Sequence, residues 1–126
     1  LLHRTSILGR KLFQPHLLPI DRGILASCYA QLEPGLTVRD LQNAYTEDYA
    51  GEPFVRVRDT APSVKQVRGS NYCDIYAHLD ERTGRVIVLS AIDNLVKGAA
   101  GQAVQNLNIV FGWPETTGLN QGPLSP

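Results

Sequence analysis

The sequence predicts an α+β domain in which a mixed, largely antiparallel sheet carries helices on one face. Two segments alternate between apolar and polar side chains, as half-buried strands do. A polar turn ending in glycine joins the second of these segments to a further apolar run, which is typical of an antiparallel hairpin. Two other segments combine a helix-start signal with apolar side chains at helical spacing.

The length and composition fit one globular domain. The chain has 126 residues, of which 43% are hydrophobic and 19% are charged, and a chain of this size buries a sizeable core. Its 12 basic residues balance 12 acidic ones, so no net charge favours nucleic acid or an acidic membrane as a partner. No apolar run is as long as a membrane span. The 2 cysteines exclude a disulfide scaffold and fit a reducing compartment.

Residues 1–12 form an irregular basic lead-in, which we separate from the domain at 13–126. Arg4, Arg10 and Lys11 lie in the lead-in, and the first acidic residue is Asp21. This composition faintly resembles an organelle transit peptide, but we favour a basic surface segment or the start of a fragment. The chain contains no methionine, so we expect it to be a piece of a longer protein.

The first elements follow from alternation and from helix capping. Residues 11–18 are apolar but contain proline, which allows an irregular segment or an edge strand at best. Residues 24–33 alternate and predict a strand. Thr37 and Asp40 then have the spacing of a capping box, which predicts the start of a helix that ends at Gly51. Four side chains mark the inward stripe of this helix: Val38, Leu41, Tyr45 and Tyr49.

The middle of the chain predicts three strands. Residues 54–58 are short and mostly β-branched or aromatic, and residues 60–70 show no periodicity and are expected to be a loop. Residues 71–79 alternate and pair with residues 85–92 across the polar turn. Because the last of these strands is apolar on both faces, we expect it to be central in the sheet.

A cap at Asp93 or Asn94 predicts a second helix, which runs to about residue 111. Its apolar side chains fall on one stripe, which we expect to face inward: Leu95, Ala99, Ala103, Leu107 and Val110. Gly98 and Gly101 lie within one turn of each other, and each costs roughly 1 kcal/mol against alanine inside a helix. Something is therefore expected to approach the first half of this helix closely, and the tail at 112–126 is expected to be irregular.

The side chains that carry chemistry are few. Cys28 and Cys73 fall on the apolar phase of their strands, so we expect both thiols to be buried and inert. His3, His16 and His78 are too scattered for a metal site. The strongest pattern is the segment 93–101, where free amides, a lysine and small residues begin a helix after a central strand. It suits an anionic or amide-bearing ligand, and tight packing of the helix on a sheet or domain explains the same residues equally well.

Several runs of residues are more specific than these patterns. Residues 13–19 (Phe-Gln-Pro-His-Leu-Leu-Pro), 22–25, 69–71, 91–108 and 112–119 resemble, in order and spacing, the N-acetyl-gamma-glutamyl-phosphate reductase family. The longest run begins Ala-Ile-Asp-Asn-Leu-Val-Lys-Gly-Ala-Ala-Gly. The resemblance extends over nearly the whole chain.

This resemblance implies an oxidoreductase of arginine biosynthesis that reduces an acyl phosphate to a semialdehyde with NADPH. It also implies an N-terminal Rossmann domain, followed by a domain like the C-terminal domain of glyceraldehyde-3-phosphate dehydrogenase, whose sheet carries the subunit contact. The nucleophilic cysteine, the histidine base and the glycine-rich cofactor loop of the family have no counterpart in this sequence, so we assign no catalytic residue. NADP is expected to bind mainly to the missing N-terminal domain.

The resemblance assigns supporting roles to two groups of residues. Four match the helix start that faces the nicotinamide cofactor in the family: Asn94, Lys97, Gly98 and Ala99. Three match the segment near the substrate: Pro15, His16 and Arg22. We expect a cytoplasmic protein if the source is bacterial, and an organellar one if it is eukaryotic.

Two hypotheses of different classes follow. The first is the C-terminal portion of the reductase, inactive alone, whose partners are the N-terminal Rossmann domain and further copies of itself. The second is a non-catalytic oligomerisation or regulatory module with the same fold. A sheet with helices on one face leaves its other face uncovered, so both hypotheses include a homo-oligomer.

Overall fold

The computed structural model describes residues 12–124, which form a four-stranded sheet with two α-helices. The predicted α+β class is confirmed. The basic lead-in lies outside the described residues, except for Leu12. The elements in chain order are β1 (Ile24–Gln31), α1 (Val38–Asp48), β2 (Val55–Val57), a 3₁₀ turn (Val64–Gln66), β3 (Cys73–Asp80), β4 (Arg85–Ile92), a π-helical turn (Val96–Ala100) and α2 (Gly101–Val110).

The sheet has the strand order β1-β4-β3-β2 and is mixed. The hairpin of β3 and β4 is antiparallel, as predicted, and β1 pairs antiparallel with the other side of β4, so β4 is central. The short β2 runs parallel to β3. At the hairpin turn, Gly84 has a φ of +66° and its amide donates to the Asp80 carbonyl at 2.8 Å, a conformation that glycine adopts without a steric penalty.

The two faces of the sheet differ in how they are covered. One face, the core face, carries the buried side chains of Ile75, Ala77 and Val86. Helix α1 lies against this face, and its Gln42 side chain donates to the Ala77 carbonyl at 3.0 Å. On the opposite face, Leu25 is 51% exposed and Tyr29 is 65% exposed. We call this second surface the open face. It consists of Leu25, Ser27, Tyr29, Tyr76, His78, Ile87 and Leu89.

Helix α1 forms as the sequence predicts. The Thr37 hydroxyl accepts from the Asp40 amide at 3.2 Å, and the Asp40 carboxylate accepts from the Thr37 amide at 2.8 Å, which completes the capping box. The predicted inward stripe is half-buried, whereas most of the other side chains of the helix are exposed. The cap and the stripe both depend on residues that are close in sequence, so both are present in the folded structure.

Two expectations about burial are wrong. Cys28 is exposed, because it lies on the edge strand β1. The apolar stripe predicted to face inward from the second helix is also exposed, and the buried residues of α2 are Gly101, Gln105 and Asn108. The helix is therefore turned so that polar side chains face the interior.

Residues 12–18 contain no strand and are exposed, which fits the irregular alternative allowed by their prolines. Among residues 12–124, no helix is long and apolar enough to cross a membrane. The same part of the chain contains no group of His, Cys, Asp or Glu side chains arranged to hold a metal ion.

Candidate functional site

The candidate site is built at the end of β4, where the buried carboxylate of Asp93 joins three segments. One oxygen of Asp93 lies 2.6 Å from the Arg22 guanidinium and accepts from the Gly69 amide at 2.6 Å. The other accepts from the Leu95 and Val96 amides at 2.9 and 3.2 Å, which caps the helical segment as predicted. The Asp93 side chain is 0% exposed, so these contacts replace its water shell.

Burial opposes the ionised form of Asp93, but the Arg22 guanidinium and the amides of Gly69, Leu95 and Val96 outweigh it. Together they hold the pKa of the carboxyl below its ordinary value. Asp93 is therefore charged when the chain is folded at neutral pH.

Asn94 is oriented by Gly23, which follows Arg22 in the segment before β1. The Gly23 amide donates to Asn94 Oδ1 at 2.6 Å. Gly23 has a φ of +115°, and a Cβ atom there would lie 2.7 Å from Cβ of Val64, so both backbone conformation and space require glycine. Within residues 12–124, Asn94 Nδ2 forms no hydrogen bond, so the amide group is held through its oxygen and its nitrogen is free to donate.

Lys97 points into a polar network of its own chain. Its ammonium donates to Gln105 Oε1 at 2.8 Å and lies 5.7 Å from the centre of the Phe54 ring. Asn71 donates to the same Gln105 oxygen at 2.9 Å, and the Gln105 amide donates to Glu115. Burial lowers the pKa of Lys97, against the opposing attraction of nearby acidic groups.

The sequence reasoning missed Asn71, Gln105 and Glu115 as members of this network. They lie in three different segments, and only the fold brings them together. One signal was available: polar Gln105 and Asn108 share a helix face with Gly101, a pattern typical of a buried polar contact.

The exposed part of the helix start consists of Leu95, Gly98, Ala99 and Ala100. The turn is π-helical, since the amides of Gly98, Ala100 and Gly101 donate to carbonyls five residues earlier. Such wide turns occur often at functional sites. Of the cofactor-facing residues expected from the resemblance, Gly98 and Ala99 thus present small, accessible surfaces, Asn94 presents one amide group, and Lys97 is turned inward.

The residues expected on the substrate side differ in burial and in their contacts. Pro15 and His16 lie in the exposed irregular segment before β1. Arg22 is half-buried and bound to Asp93, and its Nε is buried without a partner among the described residues. The structure therefore connects Arg22 with Asn94 through Asp93 and Gly23, and it shows no such connection for Pro15 and His16 within residues 12–124.

Neither cysteine lies in a nucleophilic setting. Burial raises the pKa of the half-buried Cys73 thiol, with nearby Lys97 opposing the shift, which disfavours the reactive thiolate. In the part of the chain that the structure describes, no histidine is hydrogen-bonded to either thiol. His78 instead stacks on Tyr76 at 6.2 Å in the open face.

A second buried carboxylate, that of Asp74, pairs with Arg56 across two neighbouring strands of the sheet. The Arg56 guanidinium holds it with two hydrogen bonds, at 2.6 and 3.0 Å, and also lies 4.2 Å above the Tyr72 ring. Because Arg56 and Asp74 are directly opposite in the parallel pairing of β2 and β3, this pair fixes the register of the short strand.

Comparison with known proteins agrees with the fold. A family described as semialdehyde dehydrogenase, dimerisation domain, matches residues 6–94. An N-acetyl-gamma-glutamyl-phosphate reductase of Geobacter metallireducens is 61% identical over 116 residues, which are 90% of this chain and 34% of that protein. Reductases of the same name are 60% identical in Symbiobacterium thermophilum and 53% identical in Staphylococcus aureus, with 90% and 91% of this chain and 34% of each relative covered. The chain spans about a third of the length of the curated relatives it matches.

Asp93→Asn tests the junction. Because the folded-state pKa of Asp93 is lowered, its contribution is complete above the unfolded-state pKa and is lost as the pH falls towards the folded-state pKa. At neutral pH we expect a loss of about 3 kcal/mol, the cost of breaking a buried ion pair. The difference from the unsubstituted chain should shrink below about pH 5. Urea denaturation across this pH range measures it, with exposed Asp59→Asn as the control. Equal losses in the two variants would contradict the role of Asp93.

The two helix-start glycines should respond differently to alanine. A Cβ atom at Gly101 would lie 2.7 Å from Val96 Cγ1 and would also collide with Asn71, whereas at Gly98 it would meet Ile92 at an ordinary 3.5 Å. We expect Gly101→Ala to cost about 2 kcal/mol through overpacking, and Gly98→Ala to stabilise the chain by up to about 1 kcal/mol. Thermal denaturation of both variants checks the difference. A tolerated Gly101→Ala would show that the close approach of Asn71 is not required.

Proposed function

Because the chain belongs to the semialdehyde dehydrogenase dimerisation-domain family, we propose that it is the C-terminal portion of an NADP-dependent N-acetyl-gamma-glutamyl-phosphate reductase. The observation that carries this proposal is the 61% identity to the Geobacter metallireducens reductase over 90% of the chain. The remaining two thirds of such a protein would include the Rossmann domain. We place the enzyme in the bacterial cytoplasm, since the relatives compared above are bacterial.

The proposed reaction reduces the acyl phosphate of N-acetyl-gamma-glutamyl phosphate to the semialdehyde. A cysteine thiolate from outside this chain attacks the acyl carbon and displaces phosphate, and hydride addition to the resulting thioester, followed by release of the thiol, yields the aldehyde. NADPH, when bound, supplies that hydride. This chain contributes neither nucleophile nor base, so it is expected to be inactive alone.

The residues of this chain would orient the cofactor and make room for it rather than react with it. Asn94 has its carbonyl oxygen held by the Gly23 amide, so its Nδ2 is available as a donor to the nicotinamide carboxamide. Exposed Gly98 and Ala99 offer little steric resistance to a flat ring. Lys97, held by Gln105 at 2.8 Å, would support this surface from behind rather than touch the cofactor.

On the substrate side we propose Pro15, His16 and Arg22. The Arg22 side chain is 23% exposed and one guanidinium nitrogen is committed to Asp93. Its exposed part would face the substrate, while its buried part holds the helix start. The same arginine would thereby couple the substrate side to the position of Asn94.

The chain would also form the subunit contact through the open face. This face carries aromatic and aliphatic side chains, with Tyr29 exposed to 65% and Leu25 to 51%. Contiguous exposed apolar surface of this kind is typical of a binding surface. The formal net charge is zero, so two copies approach without long-range repulsion.

The second candidate is a non-catalytic oligomerisation or regulatory module. The observation that favours it is the absence of a nucleophilic setting within residues 12–124: Cys73 has a raised pKa, and exposed Cys28 has no hydrogen bond from a histidine. As such a module, the chain would form the same dimer as in the first candidate but would have no catalytic partner.

Reconstitution separates the two candidates. The chain is mixed with the part of the Geobacter metallireducens reductase that it does not match, and reduction of NADP is followed with the semialdehyde and phosphate. We expect no turnover from either part alone and turnover from the mixture. Assembly without turnover would favour the regulatory module, and failure to assemble would reject the proposed reductase.

In the reconstituted enzyme, Asn94→Ala should raise the KM for NADP by about tenfold, the effect of losing one hydrogen bond of about 1.4 kcal/mol. The KM for the semialdehyde should change much less. Asn43→Ala, on the exposed side of α1, is the matched control. An unchanged KM for NADP would remove Asn94 from the cofactor contact.

Tyr29→Glu tests the open face as the subunit contact. The side chain is exposed, so the substitution should leave the fold intact while it places a charge in the proposed interface. We expect the dimer dissociation constant to rise at least about tenfold, as measured by sedimentation equilibrium at micromolar concentrations. Leu36→Glu, also exposed but outside the sheet, should leave the dissociation constant unchanged. A chain that sediments as a monomer at these concentrations would contradict the proposed dimer.

A further inference from the structure

Gln105 lies at the centre of the buried network beneath the helix start. The residue is 7% exposed, and both ends of its side-chain amide are occupied. The oxygen accepts from the Lys97 ammonium at 2.8 Å and from Asn71 Nδ2 at 2.9 Å, while the nitrogen donates to the Glu115 carboxylate. One neutral amide thus joins a cation to an anion, and each end of the amide faces the charge that it can bind.

The orientation of this amide is determined by its partners. If the amide of Gln105 were turned over, its nitrogen would face two other donors, Lys97 and Asn71, and its oxygen would face the carboxylate of Glu115. Every one of these hydrogen bonds would then be lost, and buried polar groups without partners are costly. The side chain of Gln105 therefore holds its three partners at fixed positions.

The network forms a closed ring with the Asp93 junction. Asn71 belongs to the loop before β3, and two residues earlier in that loop the Gly69 amide donates to Asp93 at 2.6 Å. The other oxygen of Asp93 caps the π turn that contains Lys97. One loop thus holds the start of the cofactor-facing segment through Asp93, and it holds Gln105, to which the middle of that segment is tied.

The π turn at Val96–Ala100 depends on this tie. Such a turn is a rare conformation, found mostly as a single turn within an α-helix. Lys97 is the only residue of the turn with a polar side chain, so its hydrogen bond to Gln105 is the side-chain bond that fastens the turn to α2. The loop also meets α2 directly, because a Cβ atom at Gly101 would collide with Asn71.

Asn108, the other buried polar side chain of α2 that bonds to the segment after the helix, has a different role. It donates to the backbone carbonyls of Glu115 and Thr117, each at 2.9 Å, and these bonds do not involve the π turn. Removing the amide of Gln105 would therefore leave α2 attached to that segment while it releases Lys97. The two roles can be separated by substitution.

We propose that Gln105 is a positioning residue for the cofactor. Through Lys97 it holds the π turn, and with the turn the exposed Gly98 and Ala99 and the preceding Asn94, where the nicotinamide ring would meet them. This inference rests on the proposed function, in which those residues face the cofactor. Gln105 is buried beneath that surface and acts through Lys97 rather than by contact.

Gln105→Leu tests the proposal in the reconstituted enzyme. Leucine is similar in size but has no hydrogen-bonding group, so Lys97 and Asn71 lose their acceptor. We expect the KM for NADP to rise about tenfold, because a small displacement of a positioning surface is costly, while the KM for the semialdehyde changes much less. Gln102→Leu is the matched control, since this glutamine of the same helix donates to the exposed Asn106, and it should leave both constants unchanged.

An exchange of two side chains provides the rescue. Gln105→Glu alone places a second carboxylate against Glu115, so it should also raise the KM for NADP. When Glu115→Gln is added, the carboxylate at position 105 accepts from Lys97, from Asn71 and from the new amide at position 115, with the same net charge as before. We expect this double variant to return the KM for NADP to within about threefold of the unsubstituted value, a non-additivity that residues in direct contact show.

Amide hydrogen exchange follows the π turn in the chain itself. In Gln105→Leu, the amides of Gly98, Ala100 and Gly101 should exchange at least about tenfold faster than in the unsubstituted chain, because local opening of the turn becomes easier. The amides of α1 should keep their protection, which also shows that the variant is folded.

A raised KM for NADP in Gln105→Leu, restored by the exchange of side chains, supports the positioning role. Turnover with an unchanged KM for NADP rejects this role and leaves the proposed reductase standing. A lower kcat with both KM values unchanged identifies a role in folding alone and also rejects the inference. If Gln105→Leu does not fold, Gln105→Glu and its combination with Glu115→Gln decide by the same criteria. If the unsubstituted mixture gives no turnover, the proposed function fails and the inference fails with it.

Discussion

The buried carboxylate of Asp93 is the interaction on which the arrangement of the molecule depends. It joins the segment before β1 through Arg22, the loop before β3 through Gly69, and the helix start through Leu95 and Val96. These segments are distant in sequence, and a charge with 0% exposure is tolerated only when each lone pair is matched. Asn94 is positioned by the same segment, because Gly23, which follows Arg22 directly, donates its amide to Asn94.

A second constraint is the polar interior of α2. Hydrogen bonds from Gln105 and Asn108 fix the rotation of the helix about its axis. As a consequence, the apolar surface on the opposite side of the helix is exposed. The sheet has a similar asymmetry, with Ala77 and Val86 buried on one face and Leu25 and Tyr29 exposed on the other. The domain thus has two apolar surfaces, one on each side, and neither is satisfied within the described part of the chain.

This asymmetry agrees with the proposal that the chain is a portion of a larger enzyme. The chain spans about a third of the length of its curated relatives, and within residues 12–124 neither thiol is hydrogen-bonded to a histidine. In the proposed function its contribution is geometric: it presents a fixed amide, small residues at a wide helical turn and two surfaces for association. Such a division of labour, in which one domain carries the chemistry and another positions it, needs rigidity more than reactivity in the positioning domain.

The sequence by itself determined the strands, the capping box of Thr37 and Asp40, the β3–β4 hairpin and the resemblance to the reductase family, because alternation, capping and motif order are local. It also predicted a helix cap at Asp93 or Asn94, and it wrongly predicted that the stripe of Leu107 and Val110 faces inward. Only the tertiary structure decided which way that stripe faces, since the partners of Gln105 come from residues 71, 97 and 115. It likewise decided that Lys97 points inward and that Cys28 is exposed. Periodicity shows that a face will pack, but the partner depends on contacts between segments that no local pattern contains.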